Sequence, residues 1–373
     1  LPENPPSDPQ PIQLLTPTGE SVDHPEYSRY AAHLTPDDLR GFYRDMVLMR
    51  RFDAEATALQ RQGELGLFAP ALGQEAAQIG SARALAPQDF VFPSYREHGV
   101  VQVRGVSMTD VLRLFRGVDH GGWEPAAHNV HLYTLVIGSQ TLHATGYAMG
   151  LARDGLVGTG GPDDAATIVY FGDGATSQGD TNEALVFAAV NQAPIVFLCQ
   201  NNQWAISEPS TRQTKVPIAD RGAGFGIPGV RVDGNDALAT YAVTAAAMER
   251  ARSGGGPTLV EAFTYRMGAH TTSDDPSRYR SAEEEEYWRR RDPIDRLRTH
   301  LERADHFPQD FAEQVATEAD ELGETLRSGV RAMGAPPAST MFDDVYATPH
   351  AVVDEERAWF ADYENALSPR GQA

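Results

Sequence analysis

Two short stretches, Gly172-Asp173-Gly174-Ala175-Thr176-Ser177 and Asn201-Asn202-Gln203-Trp204, carry the side chains best suited to chemistry in this chain. The carboxylate of Asp173 and the amide oxygen of Asn202 are hard oxygen ligands. They suit Mg²⁺, which takes an octahedron at roughly 2.0–2.1 Å and usually completes it with water and phosphate oxygens. Gly172 and Gly174 allow close approach of backbone to a phosphate, and a helix beginning there would aim its free N–H groups at the same anion. Each signal alone is weak, since Gly-Asp-Gly is a common turn and a paired Asn can simply close a loop. The segment is not the dinucleotide fingerprint, because Ser177 stands at the position of the third glycine. A P-loop is excluded as well, because Lys215 is the only lysine.

The two stretches need strands behind them. Residues 167–172 form a short apolar run that stops at glycine, and Ile195–Gln200 form a second. Both read as buried parallel strands, with a helix around Asn182–Asn191 between them. Val230–Val232 and Thr258–Tyr265 predict two further strands on either side of a helix over Leu238–Arg252. Such alternation means an α/β fold with a parallel sheet, right-handed crossovers and ligands at the C-terminal strand ends. Asp173 and Asn202 then share one rim.

Upstream, Thr35-Pro36-Asp37-Asp38 predicts an N-cap, a proline in the first turn and acids at the helix start. Leu39, Phe42, Tyr43, Met46, Met49 and Phe52 come next at helical spacing, and a second helix is expected over Gln74–Leu85. Composition divides the chain into a Pro-rich extended arm (1–33), an α/β domain (34–280) and a charged helical C-terminal region (281–373).

With 41% apolar residues in 373, a sizeable core can form. The 31 basic against 52 acidic residues give a net charge of −21. That balance argues against nucleic acid or membrane binding as the main role, and makes any local cluster of cations informative. One cysteine, Cys199, excludes an internal disulfide and a cysteine-cluster metal site. The absence of a long apolar run makes a cytoplasmic protein the expectation.

Several of these segments resemble a known family. Gly172-Asp-Gly-Ala-Thr-Ser-Gln-Gly-Asp180 and Asn201-Asn-Gln-Trp-Ala-Ile-Ser207 are similar to the thiamine-diphosphate motif of branched-chain 2-oxo acid dehydrogenase alpha subunits. Further similarity lies in Gly73-Gln-Glu-Ala-Ala77, Pro93-Ser-Tyr-Arg-Glu97, Val230–Asp236 and Tyr265-Arg-Met-Gly-Ala-His270 through Pro276. The resemblance implies a thiamine-diphosphate-binding fold and oxidative decarboxylation of a branched-chain 2-oxo acid, with acyl transfer to a lipoyl group. It implies that Asp173, Asn202 and the main-chain carbonyl of Trp204 hold Mg²⁺, and that Tyr95 and Arg96 hold the terminal phosphate. His270 would reach both the diphosphate and the substrate side, as the catalytic residue. Gly172, Gly174, Ala175 and Ile206 would line the cofactor, Leu135 would meet its aminopyrimidine ring, and Ile137 would wedge beneath its bend. Thr134, Ser139 and Gln140 fall where related enzymes bind K⁺.

The resemblance also implies partners. The carboxylate that activates the aminopyrimidine ring lies on another subunit in such enzymes, and nothing here matches it. A beta subunit in a two-alpha, two-beta assembly is therefore expected, together with the lipoyl domain of a dihydrolipoyl acyltransferase.

Two departures stand out. Gln200 occupies a position where some relatives carry an arginine on the diphosphate, and His120-Gly-Gly-Trp-Glu-Pro125 replaces the usual basic stretch. The alternatives are a pyruvate or acetoin dehydrogenase alpha subunit, a Mg²⁺-dependent phosphohydrolase using Asp173, and a silent scaffold subunit.

Overall fold

The structure, a computed structural model, describes residues 10–367. Its centre is a five-stranded parallel sheet of β1 (Phe90–Phe92), β2 (Thr167–Gly172), β3 (Ile195–Asn201), β4 (Gly229–Asp233) and β5 (Thr258–Phe263). The spatial order is β1-β2-β3-β5-β4. Helices lie on both faces, so the strands read as unbroken apolar runs rather than alternating ones.

One face packs Phe90, Phe92, Val169, Phe171, Phe197 and Leu259 against two helices, Ser139–Arg153 and Gly179–Asn191. Those helices meet the sheet through small residues, Ala144 and Ala148 from the first and Ala184 and Ala188 from the second. On the other face, Tyr170 donates its hydroxyl to Ser81 Oγ (2.9 Å) in the helix Glu75–Arg83. The helix Ala237–Arg252 covers the same side and is capped by Asp236, whose carboxylate accepts from the N–H groups of Leu238 and Ala239. The expected N-cap at Thr35 forms, as a box reciprocal with Asp38, and starts a helix over Pro36–Arg61.

The register fixes the functional rim. Gly172 pairs with Gln200 and Asn201 pairs with Phe263, so β2, β3 and β5 end level with one another. Asp173 and Asn202 are the first residues beyond two adjacent strand tips.

The start of the arm lies along the sheet edge, and Ser28–Ala31 forms a short helix against Ala237–Arg252. Ile12 bridges Val232 in parallel, and Leu14 and Leu15 are buried, their N–H groups donated to Asp236 at 2.7 and 2.6 Å. Arg296 bonds the Leu15 carbonyl and Asp233. An exposed strand edge is thereby covered. The first nine residues of the expected arm lie outside the described residues.

By compactness the chain divides at Val330 into two units. The helices Ala282–Arg289 and Pro293–Arg303, read from the charged sequence after Ser281, belong to the first. The second carries a short turn at Ala338–Phe342 and a helix over Ala351–Leu367, joined by Arg357 to Asp343 and by the Phe342–Phe360 ring contact. Among the described residues no helix is long and apolar enough to cross a membrane.

Candidate active site at the strand tips

A cavity of about 230 Å³ opens where β2 and β3 end. Tyr95, Arg96, Ile137, Gln140, Gly172, Asp173, Gly174, Ala175, Asn202, Trp204, Ile206 and His270 all line it, twelve residues picked from sequence and brought together by the fold. Leu135, Thr134 and Ser139 stand outside the lining. Leu135 is 60% exposed. Ser139 Oγ donates to the Val136 carbonyl (3.0 Å), and the Thr134 N–H to the Ser94 carbonyl (3.2 Å). Of the three residues matched to a potassium site only Gln140 reaches the cavity, with its Nε2 on the Tyr170 carbonyl and its Oε1 buried without a partner.

Asp173 is 2% exposed and makes no ion pair among the described residues. Burial pushes its carboxyl up to about 6, and Gln213 Nε2, 2.9 Å from Oδ2, offsets only part of that. A buried acid in this state is stabilised by a divalent cation. Asn202 accepts from the Trp204 N–H through Oδ1 (3.3 Å) and donates through Nδ2 to Gln74 Oε1 (3.1 Å). The turn beyond it is strained. Gln203 and the β-branched Ile206 have φ of 71° and 58°, a region such residues rarely adopt.

Arg266, fully buried, holds that turn. It donates to the Trp204 carbonyl (2.8 Å), to the Ile206 carbonyl (2.7 Å) and to the Tyr279 hydroxyl (2.9 Å). Arg96 is also buried and forks onto the carbonyls of Pro70 and His270. Neither guanidinium has a carboxylate partner among the described residues. Two buried, unpaired cations in a chain of net charge −21 call for an anionic ligand.

His270 lies between them, with Nδ1 3.2 Å from Arg96 and 3.4 Å from Arg266. Both neighbours can only donate, so Nδ1 accepts and the ring proton sits on Nε2. Burial and then the two arginines push its pKa down to about 4, so the imidazole is neutral at pH 7. The positive charge of the cavity lining therefore rests on Arg96 and Arg266. A histidine buried neutral also makes stability depend on pH. In the unfolded chain it titrates near 6.5, so its burial removes stability as pH falls from 6.5 through about 4. Asp173, raised to about 6, acts in the opposite sense between 6 and 3.8.

The polar loop after His270 is tied down. The Thr272 N–H donates to the Phe68 carbonyl (2.9 Å), Asp274 accepts from the His270 N–H (2.8 Å), and Arg280 bonds the carbonyls of Arg266, Met267 and Gly268. Gln200 donates to the buried Glu97 (2.6 Å) and accepts from Gln78 (3.1 Å), so it joins a hydrogen-bonded network and adds no cation.

Sequence reasoning missed Arg266, Gln74 and Gln213. Arg266 and Gln74 lay within the family-like motifs, and a count of cations against the expected diphosphate would have singled out Arg266. Gln213, on the short helix Ser210–Gln213, left no sequence signal.

Fold and site together define a parallel α/β protein with a charged cavity at its strand tips. Residues 43–325 match the family described as dehydrogenase E1 component, and the chain belongs to it. The 3-methyl-2-oxobutanoate dehydrogenase subunit alpha of Mycobacterium tuberculosis is 47% identical over 345 residues, covering 92% of this chain and 90% of that one. The pyruvate dehydrogenase E1 component subunit alpha of Acholeplasma laidlawii is 42% identical over 305 residues (81% and 86%). Its Staphylococcus aureus counterpart is 38% identical over 310 (83% and 81%).

Proposed function

We propose that this chain is the alpha subunit of a branched-chain 2-oxo acid dehydrogenase. With a beta subunit it decarboxylates 3-methyl-2-oxobutanoate and related acids, and passes the acyl group to a lipoyl arm of a dihydrolipoyl acyltransferase. The observation that carries this reading is the charge arrangement in one cavity, two buried guanidiniums without an acid facing a buried acid without a cation. A diphosphate of about three negative charges exceeds what Mg²⁺ alone cancels, and Arg96 and Arg266 supply the remaining positive charge. The residues fit thiamine diphosphate with Mg²⁺: a Cβ on Gly172 would meet nothing within 4 Å, so the backbone borders open space where a phosphate can sit.

When bound, thiamine diphosphate supplies the electron sink that decarboxylation of a 2-oxo acid requires. Asp173, Asn202 and the Trp204 carbonyl would hold the metal. Arg96 and Tyr95 would hold the phosphate end, and Arg266 fixes the turn that offers the carbonyl. Ile137, Trp204 and Ile206 add apolar surface to the cavity lining. His270 carries a proton on Nε2 for a developing oxyanion and can take it back, because its neutral form dominates at pH 7. A K⁺ ion is assigned to the turn of Thr134, Ser139 and Gln140, supported by the unpartnered Gln140 Oε1.

The beta subunit docks on the exposed side of the helix pair Ser139–Arg153 and Gly179–Asn191. Tyr147, Val186, Phe187 and Val190 are exposed there, and Leu135, Val136 and Ile137 lie just before the first helix. Large apolar groups clustered on a surface mark a docking face. Phe187→Glu will leave the chain folded but will stop it from co-eluting with the beta chain on size exclusion; full co-elution would move the interface elsewhere.

Thiamine diphosphate titrated calorimetrically into the alpha–beta complex tests the whole reading. Binding should need Mg²⁺, and kcat/KM for 3-methyl-2-oxobutanoate should exceed that for pyruvate by at least ~10-fold. Absence of metal-dependent binding would overturn the cofactor assignment. A preference for pyruvate would transfer the substrate to that of the 42% and 38% identical relatives.

A further inference from the structure

Gln74 is built into the cavity wall with unusual firmness. It is 1% exposed, and the preceding Gly73 has a φ of 96° with no room for a side chain, since a Cβ there would lie 2.3 Å from the Tyr265 carbonyl oxygen. The Gly73 N–H donates to the buried Glu75 carboxylate (2.9 Å), and the Gly73 carbonyl accepts from Thr264 Oγ1 (3.0 Å). The backbone at this point is therefore held from two directions, and the side chain lines the cavity.

The orientation of its amide follows from Asn202. Because Asn202 Oδ1 accepts from the Trp204 N–H, Asn202 Nδ2 must donate, and Gln74 must present its oxygen to it. Gln74 Nε2 is then left buried with no partner. A buried amide nitrogen without an acceptor is costly, and such groups in native structures mark sites completed by something else.

We propose that Gln74 Nε2 is a donor to the terminal phosphate of the diphosphate, and that the same side chain turns Asn202 so that its oxygen faces the metal. The assignment rests on the diphosphate reading. It also bears on Gln200, which brings no cation to the cavity where some similar chains have an arginine. Gln74 supplies a neutral donor on the same side, and Gln78 and Glu97 hold Gln200 in place.

Two variants separate phosphate binding from mere support of Asn202. Gln74→Glu keeps the size and the oxygen that accepts from Asn202, but turns an acceptor with negative charge toward the phosphate. Gln74→Leu removes both functions without adding charge. Binding of thiamine diphosphate and of magnesium pyrophosphate alone is measured by calorimetry on the assembled alpha–beta complex. Q74L should bind each ligand about 10-fold more weakly, and Q74E at least ~100-fold more weakly. A residue that only supported Asn202 would give the reverse order, and Q74E equal to or tighter than Q74L overturns the proposal. Should Q74E fail to assemble, Q74L decides alone: pyrophosphate affinity within about twofold of the parent overturns it. A parent complex that binds neither ligand overturns the diphosphate reading, and the proposal with it, so the two failures are told apart by the parent titration.

Discussion

Asp173→Asn will make the metal-free chain more stable and leave it unable to use magnesium. The carboxylate is buried at the β2 tip with a single amide hydrogen bond from Gln213 and no cation, which raises its pKa from 3.8 to about 6. At pH 7 it is charged in the fold against that preference. Such a rise corresponds to roughly 3 kcal/mol of destabilisation, an order-of-magnitude figure. The sign is the reverse of a salt-bridged acid. The folded state takes up the proton more readily than the unfolded one, so stability falls as pH rises from 3.8 through about 6 and stays low above. Asparagine keeps an oxygen for Gln213 and carries no charge. Thermal unfolding of the chain in EDTA at pH 7 should therefore show a melting temperature raised by several degrees, with the gain vanishing toward about pH 4. In the alpha–beta complex the same variant should lose at least ~100-fold in magnesium-dependent cofactor affinity, because a neutral amide is a far weaker ligand for Mg²⁺ than a carboxylate. An unchanged melting temperature would refute the burial argument; unchanged magnesium dependence would refute the ligand assignment.

Arg96→Met is the second large effect. The Arg96 fork binds the carbonyls of Pro70 and His270 while lining the cavity, and its charge also helps keep His270 neutral. Truncating one partner of a buried, hydrogen-bonded charge pair costs about 2–5 kcal/mol, so cofactor affinity should fall by ~30-fold or more. Arg96→Lys should not rescue it fully, since a compact ammonium on a flexible stem lacks the planar fork that spans the two carbonyls. The variant has a second readout. Without the guanidinium at 3.2 Å, the His270 pKa should move up from about 4 toward its ordinary value, visible as an imidazole titration by NMR in the uncomplexed chain. Parent-like cofactor affinity in R96M would remove Arg96 from the phosphate site.

The strands and the metal pair were legible because their signals are local. An apolar run ending at Gly172 and another ending at Gln200 say within a residue where a buried parallel strand stops, and the residues just past a strand tip lie at the ligand-binding rim. The helix start at Thr35 carries an equally local signal, since the cap bonds an N–H three residues on. Several elements were not read, and two of them show why. β1 has only three residues, too short for any period, and the helix Ser139–Arg153 meets the sheet through alanines, so it carries no apolar stripe to read.

By itself, then, the sequence determined which residues could bind a metal and a phosphate, and which family they resemble, because residue type and spacing along one segment are enough for that. Only the tertiary structure decided the charge state of the site. Arg266 becomes a buried cation, His270 a neutral base with its proton on Nε2, and Gln74 an amide with a free donor, all through contacts that the folded chain alone brings about. Burial and the distance to a neighbouring charge set a pKa or leave a donor unpaired, and neither exists until the strands are side by side.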